Sequence, residues 1–291
     1  MTETPSPSFF AQARRDFHAA LLTSGVLTIN EKGVASNADG SSRSSIAFAK
    51  HVADALYVET RGERLAGQTL GGQFESVCAT FIERTFRELH MLRPGDWTVQ
   101  KVSGRRGDYL SLIEPYAHLR ELDLAIKENP ELQAVLGNAY VIAPDVVVIR
   151  EPVPDELINT DRLLVDETVA RRTTIRRANQ RRGILHAVVS CKWTLRSDRA
   201  QNARSEALNL IRNRKGRLPH IAVVTAEPSP SRLASLALGT GDIDCLYHFA
   251  LTELVAAVHA FDNDEAMNLL DTMVSGNRLK DISDLPLDLS V

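Results

Sequence analysis

The stretch 184–216, ILHAVVSCKWTLRSDRAQNARSEALNLIRNRKG, changes its period halfway along. Its first half is apolar and β-branched around a single lysine, Lys192. Alternation along a strand puts Val188, Ser190 and Lys192 on one face and Val189 and Cys191 on the other. From Ala200 onward, Ala200, Ala203, Ala207, Leu208 and Ile211 recur at helical spacing and form one apolar stripe. Ser197 or Asp198 can cap this helix and Gly216 can end it. The reading is a buried strand running straight into a helix, with Arg196, Asp198 and Arg199 at the junction. Glu206 has Ala203 and Leu210 among its helical neighbours, so it lies at the edge of the stripe. A lysine on a core strand and a glutamate on the flank of the next helix are both costly unless paired or bound to a metal.

Working outward, APDVVVI at 143–149 predicts a second core strand with Asp145 at its mouth. Further strands are expected at 97–102, 220–225 and 245–249. Helices are expected at 9–22, 44–63, 229–238 and through 250–275, with two short ones within 115–136 broken at Pro130. A break at Gly67 and Gly71–Gly72 precedes a long helix whose stripe is Phe74, Val77, Cys78, Phe81, Ile82 and Leu89; Glu75 lies one residue off it. Residues 151–183 read as an excursion with few core signals, and the C-terminal DLPLDLSV as a proline-interrupted end. Strands mixed with helices and no internal repeat predict one α/β domain over 1–291, with a central sheet flanked by helices.

The 291 residues are 44% apolar and 24% charged, ordinary for a globular protein. No apolar run has the length of a membrane span, and the first residues lack a signal-peptide pattern. Cys78, Cys191 and Cys245 match no metal spacing and no disulfide framework, which favours the reducing cytoplasm. A net charge of −3 argues against indiscriminate nucleic-acid binding. The charge is uneven, however: 171–182 holds six arginines and no acid, and 192–217 has a local balance of +6. Two basic runs around a lysine-bearing core strand suit phosphate binding.

Asp145 is followed by 46 residues and Lys192, then by 13 residues and Glu206. Two carboxylates beside a lysine suit metal-assisted phosphodiester hydrolysis, in which acids hold Mg²⁺ and the ammonium steadies nucleophile or phosphate. A cysteine hydrolase built on His186 and Cys191 is disfavoured, because residues five apart on a strand point to opposite faces. A non-catalytic DNA-binding module would need no Asp145, Lys192 and Glu206 together. A repair or structure-guided nuclease would have no use for Arg196, Asp198 and Arg199 clustered at a helix start.

The PD–x46–K–x13–E pattern and the run SCKWTLRSDRAQNARSE, with GVASNADGSS, ERLAGQT, RPGDW, NRKGRLPHI and LKDISDLPLDL, resemble one family across nearly the whole chain. It is the type II restriction endonucleases of the PD-(D/E)xK superfamily with a displaced glutamate, the Cfr10I/Bse634I-like group. The resemblance implies a restriction-endonuclease-like α/β/α core with a mixed sheet. Asp145, the backbone carbonyl of Cys191, and Glu206 would hold Mg²⁺. Lys192 would be the catalytic lysine. Ser190 stands where most relatives carry the second acid, and Glu75 at the edge of the same centre. Arg196, Asp198 and Arg199 would read a CCGG core, Arg232, Asp39 and Ser41 the outer G·C pairs, and Gln68 would touch the minor groove. Also implied are double-stranded cleavage of a palindrome such as GCCGGC with 5′ overhangs, a homotetramer made of two dimers, a cognate DNA methyltransferase, and a bacterial cytoplasmic setting.

Overall fold

The structure is a computed structural model that describes residues 6–57, 67–102, 109–136, 144–196, 199–239 and 241–291. Ser197 and Asp198 lie outside these residues, and the helix expected over 44–63 already ends at Ala55, capped by Leu56. Six strands form one sheet in sequence order: β1 Trp97–Lys101, β2 Val146–Arg150, β3 Ile184–Lys192, β4 His220–Thr225, β5 Cys245–His248 and β6 Leu279–Asp281. β1 pairs with β2 and β2 with β3 antiparallel, and β3 through β6 run parallel. β2 and β3 are buried almost throughout, as continuous Val/Ile/Ala runs covered on both faces should be.

Helices α1 (Phe9–Thr23), α2 (Arg43–Ala55) and α3 (Gly67–Arg87) precede the sheet. α4 (Leu119–Lys127) and α5 (Pro130–Leu136) join β1 to β2, and the four-residue α6 (Asp155–Ile158) follows β2. α7 (Arg199–Asn213) and α8 (Pro230–Ala237) follow β3 and β4. The chain ends with α9 (Leu251–His259), α10 (Asp264–Ser275), β6 and α11 (Leu285–Asp288). Strand parity assigns the two faces of β3. Val188 and Ser190 share a small recess with Ala203, Glu206 and Ala207 of α7, whereas the Cys191 thiol contacts Cys78 of α3. The α3 face closes with aromatic edge contacts, Phe74 on Trp193 at 5.0 Å and Phe86 on Trp97 at 5.3 Å between centroids. Among the described residues no helix is long and apolar enough to cross a membrane.

Two further expectations need correction. The glycines do not break α3, which begins at Gly67 and runs through Gly71 and Gly72. Each helical glycine costs roughly 0.5–1 kcal/mol against alanine, and burial of Leu70 and Phe74 in the core overrides that local preference. α7 buries Ala203, Ala207 and Leu210, whereas Leu208 sits half-buried at the rim. The helix is rolled toward the 203–207–210 line that packs on β3, and it ends at Asn213 before Gly216 is reached. The proline-interrupted end DLPLDLSV carries α11, with Pro286 in its first turn where no N–H is needed, and Leu279–Asp281 just before it adds a sixth strand that was not expected. The 151–183 excursion is mostly exposed, as its few core signals predict, and is clipped by Arg176, whose guanidinium is buried and forks Asp155 at 2.7 and 2.6 Å.

Candidate active site

Asp145 immediately precedes β2, and its main-chain carbonyl accepts from Val102 N–H at 3.0 Å, so its backbone belongs to the sheet. The carboxylate is completely buried. Its Oδ2 accepts from Lys192 Nζ at 2.9 Å, from the Cys191 main-chain N–H at 2.8 Å, and from Ser190 Oγ at 3.4 Å. Glu206 Oε2 lies 4.0 Å from the same Lys192 nitrogen. One ammonium therefore stands between two carboxylates, one carried by a strand mouth and one by α7. Burial is the largest influence on Lys192 and pulls its pKa down, but Asp145 and Glu206 outweigh it and the net direction is up. The lysine stays charged at neutral pH.

In an extended residue the N–H and C=O point to the same edge of the strand. Because the Cys191 N–H reaches Asp145, the Cys191 carbonyl is turned toward that carboxylate as well. Two carboxylates and one carbonyl make an all-oxygen donor set, suited to a hard cation that keeps several of its waters. Among the described residues, no three His, Cys, Asp or Glu side chains gather as a closed metal site. The donor set fits an open, hydrated ion.

Glu75 is buried on α3 and pairs with Lys101 at 3.4 Å; Lys101 also bonds Ser76 Oγ at 2.9 Å. Its partner sits at the end of β1, one residue before the Val102 N–H that holds Asp145, so Glu75 borders the cluster across one strand. His186 serves packing. Its Nε2 lies 2.7 Å from the Leu289 carbonyl, and burial pushes its pKa down to about 3. The Cys191 thiol is raised by its contact with Cys78 and by burial, which makes it a poor nucleophile.

Beyond the strand ends, three remote segments meet. Arg196 donates to the Ala38 carbonyl, and Arg232 pairs with Asp39. Asp39 also accepts from the Ser41 hydroxyl at 2.8 Å, and Arg232 and Ser41 together hold its carboxyl well below the usual range. Arg199 Nη1 donates to Thr194 Oγ1 at 3.1 Å. Arg196, Arg199, Arg232, Asp39 and Ser41 thus form one platform. Gln68 is exposed on the first turn of α3, and Asp198 lies outside the described residues. One member escaped the sequence reading: Glu227, fully buried, which accepts from Leu195 N–H at 2.9 Å and from Ser229 N–H at 3.2 Å. Its only signal was an acid directly after an apolar strand in TAEPSPS.

A sequence model described as NgoMIV restriction enzyme matches residues 17–291. The type II restriction enzyme NgoMIV of Neisseria gonorrhoeae is 54% identical over 282 residues, covering 97% of this chain and 99% of that protein. Among solved structures, Bse634I restriction endonuclease is similar at a TM-score of 0.38 and 14% identity, covering 90% of this chain and 91% of its own. A PspGI restriction endonuclease–substrate DNA complex aligns at a TM-score of 0.26 and 11% identity, over 98% of this chain and 92% of that one. With more than half its residues shared along nearly its whole length, the chain belongs to the NgoMIV restriction enzyme family, the type II restriction enzymes that cleave DNA site-specifically.

Proposed function

We propose that this enzyme cuts both strands of a palindromic duplex with a CCGG core, GCCGGC, leaving 5′-phosphate and 3′-hydroxyl ends with 5′ overhangs. The observation that carries this reading is the Lys192 ammonium held between Asp145 and Glu206, beside a platform presenting Arg196, Arg199 and Arg232.

Asp145, Glu206 and the Cys191 carbonyl would hold Mg²⁺, which when bound supplies positive charge to the phosphoryl oxygens and makes a water more acidic. Lys192, kept charged by its two carboxylates, faces the scissile phosphate and steadies the developing negative charge. Ser190 shares the lysine's face and holds Asp145 from below, in the place where an acid would otherwise stand. Glu75 tunes the edge of the centre through Lys101. Arginine forks match guanine O6 and N7 in the major groove, and Asp198 can accept from a cytosine amino group. Arg196, Asp198 and Arg199 would read the core, Arg232 with Asp39 and Ser41 the outer pairs, and Gln68 would reach the minor groove.

Residues 1–291 act in this reading as one domain, in a homotetramer of two dimers, in the bacterial cytoplasm beside a methyltransferase that protects the host's sites. Digestion of a fully sequenced plasmid in Mg²⁺, with both ends of every fragment mapped, tests it. Cuts confined to GCCGGC are expected; cuts set by DNA structure or damage would overturn the site-specific reading.

A further inference from the structure

The two reading arms are carried by different strand–helix junctions, and among the described residues Arg196 and Arg232 share no hydrogen bond with each other. Arg196 follows β3, whereas Arg232 sits in the first turn of α8, after β4. Between them lies Glu227, with no exposed side-chain surface. Its Oε2 accepts the Leu195 N–H at 2.9 Å, the peptide next to Arg196. Its Oε1 accepts the Ser229 N–H at 3.2 Å, the cap residue of the helix that carries Arg232, and lies 3.7 Å from Arg232 Nη1. Two neighbouring bonds complete the joint. Ala226 N–H donates to the Trp193 carbonyl at 3.2 Å, and Asn37 Nδ2 donates to the Ala226 carbonyl at 2.8 Å, tethering the loop that carries Asp39.

A buried carboxylate is costly unless each oxygen is matched by a donor. Here each oxygen takes a main-chain N–H from a different arm, and burial alone pushes the group's pKa upward. Such a group holds the distance between the two segments constant, because its two oxygens lie at a fixed separation.

We propose that Glu227 is a positioning residue for specificity, a buried brace that sets the spacing between the inner reader Arg196 and the outer reader Arg232. The inference rests on the DNA-reading roles given above. Glu227 touches no base in this scheme; it acts through the two arginines. A glutamine in its place offers one acceptor oxygen and turns an amide against the second N–H, so one arm is released while side-chain volume is kept. Both readings share one spacing, so loss of the brace relaxes both together.

The test measures cleavage in Mg²⁺ and binding in Ca²⁺ on three duplexes: GCCGGC, a variant with the outer pair exchanged, and one with a core pair exchanged. Arg196→Ala is expected to lower only the core ratio and Arg232→Ala only the outer ratio. Glu227→Gln should lower both ratios, each by roughly tenfold, within the range that one lost bidentate contact spans. Glu227→Asp keeps the charge but is too short to span both arms, and should do the same. It also serves as the second variant if the glutamine form melts below the assay temperature. If either folded Glu227 variant slows cleavage on all three duplexes alike and keeps both ratios, Glu227 is only scaffold and the proposal is overturned while the DNA reading stands. If the arginine variants themselves keep wild-type ratios, the reading of this platform is wrong and the brace falls with it.

Discussion

The acid–lysine cluster and the arginine platform lie at the same end of the parallel strands, yet they are built on opposite principles. Asp145, Lys192 and Glu206 come from one strand–strand–helix unit. Asp145 is wholly buried, and the Lys192 side chain is 15% exposed. The platform joins segments around residues 38, 196 and 232, and its Arg232 side chain keeps 32% of its exposure. Buried charges share so few partners that removing one strands the rest, whereas half-solvated charges are screened and their loss is graded. The first region should therefore fail all at once and the second by degrees.

The largest expected effect is at the centre of the buried group. Asp145→Ala removes the oxygen that Lys192, Cys191 and Ser190 all address. Plasmid cleavage in Mg²⁺ should be abolished, while specific DNA binding in Ca²⁺ stays measurable, since the base contacts proposed above lie on the platform. Cutting at a near wild-type rate would break the contrast outright. Next comes Glu206→Ala, which should be nearly inactive although the carboxylate is only partly buried. Ser190→Glu combined with Glu206→Ala puts an acid on the face of Lys192 and should restore part of the rate. Full activity of the single variant would show that the helix-borne acid is dispensable.

On the platform, Arg196→Ala and Arg199→Ala should each remove about 1–3 kcal/mol of base discrimination and leave nonspecific affinity much less affected. Asp198→Asn keeps size and tests acceptor charge. Competition binding in Ca²⁺ between GCCGGC and core-altered duplexes measures all three, and unchanged ratios would remove this triplet from the recognition scheme. The smallest effect belongs to Asp39. Its carboxyl is depressed by Arg232 and Ser41, so its folded pKa lies below the unfolded value of about 3.9. The stability it contributes is present above that pH and is lost as pH falls through the folded value. Asp39→Asn should thus melt slightly below wild type at pH 7, and the gap in Tm should close in acid. A gap that persists at the lowest pH would assign the effect to packing instead of charge.

Much of the first region was legible along the chain. The alternation in 184–192 put Ser190 and Lys192 on one face, and the structure has both on Asp145 Oδ2. Helical spacing put Glu206 at the rim of α7, which is where it meets Lys192. Such readings hold because strand parity and helix period are properties of a few consecutive residues. The glycines of α3, the roll of α7 onto Leu210, the strand at Leu279–Asp281 and the burial of Arg176 against Asp155 were not legible, because distant packing overrode local preference at each.

By itself, then, the sequence determined the first five strands and most of the helices between them, the two faces of β3, and the acid–lysine–acid spacing, each a consequence of short-range geometry. Only the tertiary structure decided that Asp39 meets Arg232 and that Glu227 joins the peptides of Leu195 and Ser229. The Glu227 contacts follow from parallel strands setting their C-terminal ends side by side, and the Asp39 contact from the α1–α2 loop folding over those ends; no period along the chain records which loops that brings together.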